Sequence, residues 1–149
     1  GRSEVIENIP SNVIIDYAHN PEAIHNFLSS IKDHYQNLIV VFGCGGDRDK
    51  SKRSLMLKAA LKSSSKVIFT SDNSRSEDFE NIFIDAAQDN NIDNVVKIKD
   101  RKKAIIYASE ILSHKECLVI LGKGHEETQE ENNKTSFFSD HEVINEIYK

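Results

Sequence analysis

The feature that most constrains this chain is an alternation. Short apolar runs rich in β-branched residues recur at Val13 to Asp16, Leu38 to Phe42, Lys66 to Thr70, Asn94 to Ile98 and Cys117 to Leu121, with helical patterns between them. A run without alternating polar positions suits a strand covered on both faces, as in a parallel sheet. After Asn20, a favoured cap, Pro21 takes the first helical position, and Ile24, Phe27, Leu28 and Ile31 follow at helical spacing. Phe79, Ile82, Phe83, Ala86 and Ala87 make a second stripe, and Ala104, Ile105, Ala108, Ile111 and Leu112 a third behind the candidate cap Asp100. Another helix is expected over about Lys50 to Ser63. Ser139-x-x-Glu142 reads as a capping box opening a last helix through Val143, Ile144 and Ile147, and Glu126 to Lys134 as a loop or hairpin.

These elements predict an α/β fold: a three-layer, Rossmann-like, mostly parallel sheet with helices on both faces. No repeat or internal boundary interrupts the pattern, so residues 1–149 read as one domain. Such a length buries roughly two-thirds of its unfolded surface and needs no staple.

Composition narrows the partners. Lys plus Arg total 19 against 24 for Asp plus Glu, a net charge of -5, so neither nucleic acid nor an anionic membrane is a general partner and any anion site is local. Cys44 and Cys117 lack a CxxC spacing and lie in or beside apolar stretches, which predicts free thiols in a reducing compartment. No apolar run approaches the roughly 20 residues of a membrane helix, and no signal-peptide pattern opens the chain. A cytoplasmic monomer is expected. The start at Gly1-Arg2-Ser3-Glu4, without an initiator Met, predicts a segment of a longer polypeptide.

In a parallel α/β sheet, ligands bind beyond the carboxyl ends of the strands, so the residues following each run are where chemistry should lie. The first such segment, Asp16 to Pro21, sets an acid, the Tyr17 phenol and the His19 imidazole before a helix, although Asn20-Pro21 is explained by capping alone. The second, Gly43 to Lys50, combines three glycines with Arg48, Lys50, Lys52 and Arg53 near a helix start, a composition suited to an anion-binding loop or to a plain flexible turn. It is not a Walker A loop, because Asp49 precedes Lys50-Ser51, nor a dinucleotide fingerprint, because Arg48 stands at the third glycine position.

The third segment is Ser71-Asp72-Asn73-Ser74-Arg75. An arginine fork suits a carboxylate and the neighbouring acid and amide suit an ammonium, so the group fits a zwitterion; an Asx turn capping the next helix fits equally. The fourth, Gly122-Lys123-Gly124-His125-Glu126, allows close backbone approach beside the Glu126 carboxylate, or is a sharp turn with solvated charges. A zincin helix is excluded, since Gln129 stands four residues after His125. No metal cluster or nucleophile–base pair can be assigned, though Cys44 beside a basic loop is a candidate activated thiol.

Together, Asp16-Tyr17-Ala18-His19-x-Pro21, the Phe42 to Arg53 segment, Asp72-Asn73-x-Arg75 and Gly122 to Glu126 resemble, in order and spacing, the C-terminal domain of Mur ligases of the UDP-N-acetylmuramoyl-tripeptide synthetase type. Gly1-Arg2-x-Glu4 resembles the junction at which that domain follows a central ATPase domain. The resemblance implies an ATP- and Mg2+-dependent ligase, with both bound mainly by the central domain, that activates the D-Glu carboxylate of UDP-MurNAc-L-Ala-D-Glu as an acyl phosphate. An incoming amine then displaces phosphate. It implies substrate contacts at Arg48, Asp72, Asn73, Ser74, Arg75, Gly122 and Glu126, nucleotide-facing positions at Arg2, Tyr17 and His19, and no catalytic residue on this chain, which alone is expected to be inactive. Diaminopimelate-adding members of the family read Asp-Asn-Pro-Arg where this chain has Asp72-Asn73-Ser74-Arg75; Arg75 therefore favours meso-diaminopimelate over L-lysine, and Ser74 for proline is expected to loosen the turn. A folylpolyglutamate synthase domain, or a non-catalytic nucleotide- or amino-acid-binding module, is the alternative.

Overall fold

A computed structural model describes residues 10–149. Five parallel strands form its main sheet: β1 (Val13–Asp16), β2 (Leu38–Phe42), β3 (Lys66–Phe69), β4 (Val95–Lys97) and β5 (Cys117–Leu121), in the order β1-β5-β2-β3-β4. β5, the last of the five in sequence, lies between β1 and β2, with Ile39 beside Leu118 and Val13 beside Leu118 on its other edge. That insertion brings the fourth segment between the first and the second.

Helices α1 (Pro21–Ile31), α2 (Ser51–Ser63) and α3 (Phe79–Ala87) contribute to the core on one face, and α4 (Arg101–Ile111) and α5 (Asp140–Ile147) to that on the other. The strands explain their unbroken apolar runs. Leu38, Val40 and Phe42 of β2 join Ile24, Leu28, Leu57 and Ile82 in one core, while Ile39 and Val41 join Ala104, Ile105 and Ile144 in the other. Each fully buried Leu, Ile, Val or Phe is worth roughly 1.5–3 kcal/mol, so two-sided burial outweighs the lack of a solvated face.

Capping follows the sequence. Asn20 Oδ1 accepts from Ala23 N at 2.8 Å, Asp100 Oδ1 from Lys103 N at 3.1 Å, and Ser139 Oγ from Glu142 N at 3.2 Å, the hydroxyl half of a capping box. Thr70 falls just outside β3, its hydroxyl donating instead to the Lys99 carbonyl at 3.2 Å. The polar stretch after β5 is an antiparallel hairpin, β6 (Thr128–Glu131) and β7 (Lys134–Phe137), turned by Asn132 and Asn133 at φ 53° and 58°. Two left-handed residues match the twist of a two-residue hairpin turn, and asparagine tolerates that conformation.

Candidate functional site at the carboxyl ends of the strands

A cleft of about 480 Å3 opens over the carboxyl ends of β1, β5, β2 and β3. Tyr17, His19, Arg48, Asp72, Asn73, Arg75, Gly122 and Glu126 all line it, so the four strand-end segments converge on one space. Ser74 does not: it is 3 % exposed and its backbone packs behind the cleft. Arg2 lies outside the described residues.

The second and third segments fit together backbone to backbone. A Cβ on Gly46 would stand 1.8 Å from the Ser74 carbonyl oxygen, so no other residue permits this approach. Gly46 N donates to the Asn73 carbonyl at 2.9 Å. The glycines of this loop serve close packing rather than left-handed geometry, because its positive φ, 55°, falls on Asp47. Asp47 accepts from the Ser76 hydroxyl at 2.7 Å and donates its N–H to Glu77 Oε2 at 2.6 Å.

Positive charge in this loop is divided. Arg53, expected from sequence as part of an anion-binding cluster, is 1 % exposed; its guanidinium bonds Glu77, Asp85 Oδ2 at 2.9 Å and the Gly45 carbonyl at 3.0 Å. Burial works against its charge, but hydrogen bonding and attraction from Glu77 and Asp85 outweigh it and raise its pKa. The start of α2 is occupied by the chain's own anion, since Asp49 Oδ1 accepts from Ser51 N at 3.0 Å and from its hydroxyl at 2.6 Å. Arg53 thus touches the cleft wall with its charge already matched, while Arg48 and Lys52 line it as exposed side chains.

Arg75 adopts φ 54° and Asn73 φ 51°, and neither Asp72 nor Asn73 caps α3, whose cap position is Asp78. The Asx-capping alternative is thereby removed. Instead Asn73 Oδ1 accepts from Glu130 N at 2.9 Å and Lys123 Nζ at 3.3 Å, while Arg75 N donates to the Glu130 carbonyl at 3.1 Å. The hairpin is thus bonded to this turn on both sides of Ser74, the serine in place of proline. Arg75 Nη1 bonds the carbonyls of Gly46 at 3.0 Å and Asn73 at 3.2 Å, which orients a guanidinium whose side chain stays 20 % exposed.

Opposite, Gly122 has φ 111°, and a Cβ there would stand 2.5 Å from Asp72 Oδ2. Only glycine lets the Asp72 carboxylate lie directly over this backbone. Lys123, a solvated charge in the sharp-turn alternative for this segment, is 0 % exposed: Nζ donates to the Thr128 carbonyl at 2.8 Å and stands 3.7 Å from Asp72 Oδ1 and 3.9 Å from Glu126 Oε1. Burial pushes its pKa down, against the pull of Asp72. At the far wall the Tyr17 and His19 rings meet edge-on, centroids 4.7 Å apart, with His19 Nδ1 2.9 Å from the Tyr17 carbonyl oxygen.

Arg101 and Asp140 were not singled out by sequence. Both are fully buried and pair through two contacts, Nε to Oδ1 at 2.8 Å and Nη2 to Oδ2 at 2.9 Å. The same guanidinium donates to the carbonyls of Ser71 at 3.1 Å and Leu121 at 3.0 Å, immediately behind Asp72 and Gly122. Its position directly after the cap Asp100 gave no sign of burial. Cys44 is not an activated thiol: burial pushes it up to about 12, against Arg53 and with Asp72 adding to the rise. Among the described residues, no group of three His, Cys, Asp or Glu side chains is placed to hold a metal ion.

Known proteins resemble this chain in sequence and fold. A family model for the Mur ligase, glutamate ligase domain matches residues 1–124. The chain is 40% identical over its whole length to a UDP-N-acetylmuramoyl-L-alanyl-D-glutamate--2,6-diaminopimelate ligase of Clostridium botulinum, covering 32% of that protein. With the protein of the same name from Alkaliphilus oremlandii the identity is 45%, over 99% of the chain and 31% of the relative. A solved structure bearing that ligase name superposes with a TM-score of 0.92 at 40% identity, over 99% of this chain and 31% of the other. The Mycobacterium tuberculosis folylpolyglutamate synthase complexed with ADP superposes at 0.59 with 22% identity, over 74% of the chain and 27% of that structure, a likeness of fold alone. The chain thus spans about a third of the length of the ligases it matches, and it belongs to the Mur ligase family as a glutamate ligase domain.

Proposed function

We propose that this chain is the amino-acid-binding domain of an ATP-dependent ligase that adds meso-diaminopimelate to UDP-MurNAc-L-Ala-D-Glu in peptidoglycan synthesis. One observation carries the reading: a single cleft sets the Arg48 and Arg75 guanidinium groups with the Asp72 and Glu126 carboxylates. Two guanidinium groups take carboxylates and two acids take ammonium groups, the complement of a doubly zwitterionic diamino acid. Lysine, with one carboxylate, would leave one guanidinium unanswered. The ligases that the chain resembles are named for the same amino acid.

In this reading 1–149 acts as one domain, with Asn73 and Gly122 shaping the amino-acid site and Tyr17, His19 and Arg2 toward the nucleotide. Ser74 supports the turn from behind rather than touching substrate. ATP, Mg2+ and the UDP-linked acceptor belong mainly to the remainder of the polypeptide, and the enzyme works as a cytoplasmic monomer. The chain's own residues bind and orient the amine donor; the acyl phosphate forms elsewhere, and closing this domain over it excludes water.

The test is Arg75→Ala in the intact ligase. Leaving the ligand carboxylate unpaired costs about 3 kcal/mol, roughly a hundredfold in kcat/KM for diaminopimelate, with a far smaller loss for lysine. Equal losses for the two amino acids reject the selectivity role of Arg75. Absence of ATP-dependent amide formation with either amino acid rejects the ligase reading.

A further inference from the structure

Five charged side chains gather at the floor of the cleft and behind it: Lys123 from the β5 turn, Arg101 from α4, Asp140 from α5, Asp72 from the β3 turn and Glu126. Arg101 is already matched by Asp140 in a two-contact pair with no exposed surface. Lys123 is left to face Asp72 at 3.7 Å and Glu126 at 3.9 Å, itself wholly buried and anchored by the Thr128 carbonyl at 2.8 Å and Asn73 Oδ1 at 3.3 Å. One lysine therefore stands between two carboxylates from different turns, and only the carboxylates reach the cleft.

Two carboxylates that share a site repel each other, and a cation beside both offsets that repulsion. A single cation against two acids leaves one negative charge over, directed at the open side. We propose that Lys123 is the positioning residue of the amino-acid site: its buried side chain, within 4 Å of both carboxylates, sets where Asp72 and Glu126 stand to accept the ammonium groups of the incoming amino acid. The hydrogen bond to Thr128 fixes Nζ from the hairpin, making that hairpin part of the device. This inference rests on the function proposed above and concerns the amine lobe alone.

Lys123→Gln retains a donor toward Thr128 and removes the charge; Lys123→Met removes both; Lys123→Arg keeps the charge. Steady-state kinetics of the intact ligase with diaminopimelate separate the outcomes. The neutral variants should raise KM for diaminopimelate roughly 10- to 100-fold while KM for ATP and kcat move little. Lys123→Arg should keep KM for diaminopimelate near the wild-type value. The proposal is overturned by an unchanged KM, by parallel losses for ATP and amino acid, or by failure of both neutral variants to fold, which would assign Lys123 to stability. A wild-type enzyme that does not use diaminopimelate instead removes the functional reading, a result visible before any variant is made.

Discussion

At the residue scale, the fate of the buried arginines was decided by partners far along the chain. Arg53 stands among the basic residues of the second segment, yet Glu77 and Asp85, 24 and 32 positions away, claim its guanidinium. Glu77 also takes the Asp47 N–H, so one carboxylate ties the glycine loop to the start of α3. Hydrogen bonding from Arg53 holds the Glu77 carboxyl below its ordinary value, against partial burial that would raise it. A carboxyl with a lowered folded pKa contributes stability that is complete above its unfolded value, about 4.3, and lost as pH falls through the folded one. Glu77→Gln should therefore lower stability near neutrality by about 2 kcal/mol, and urea midpoints of variant and wild type should converge in acid. Midpoints that stay parallel down to acid pH would remove Glu77 from this role.

At the scale of elements, strands and helices were legible because their signals are local: the spacing of apolar residues and caps such as Asn20 and Asp100 act within a few positions. What joins the elements was not legible. Arg101 and Asp140, 39 positions apart, tie α4 to α5 and also grip the ends of β3 and β5 through the Ser71 and Leu121 carbonyls. Removing one partner of a buried pair leaves the other charge without compensation, so Asp140→Asn should destabilise the fold by about 3–5 kcal/mol in urea unfolding. A loss below about 1 kcal/mol, the worth of an exposed pair, would show that water reaches Arg101.

For the whole molecule, the three layers decide which groups meet solvent. Cys44 and Cys117 are both buried and free, and burial pushes each thiol up to about 12. A reagent that needs the thiolate should label neither in the native protein and both in denaturant. Prompt labelling of native Cys44 would restore the activated thiol that the basic loop suggested. Burial prevails there because the nearby positive charge of Arg53 is already matched by Glu77 and Asp85.

From the sequence alone came the α/β order and the four segments after the strands, because turn composition and apolar periodicity are properties of neighbouring residues; the positions within them came from the resemblance to Mur ligases, and among residues 10–149 all but Ser74 line the cleft. Tertiary structure alone decided which ionisable groups face the cleft. Arg48 and Arg75 line it with accessible surface, Arg53 reaches its wall buried and paired, Lys123 is buried behind it, and Ser74 turns inward, since burial and pairing depend on charges brought together across tens of residues by the packing of the elements.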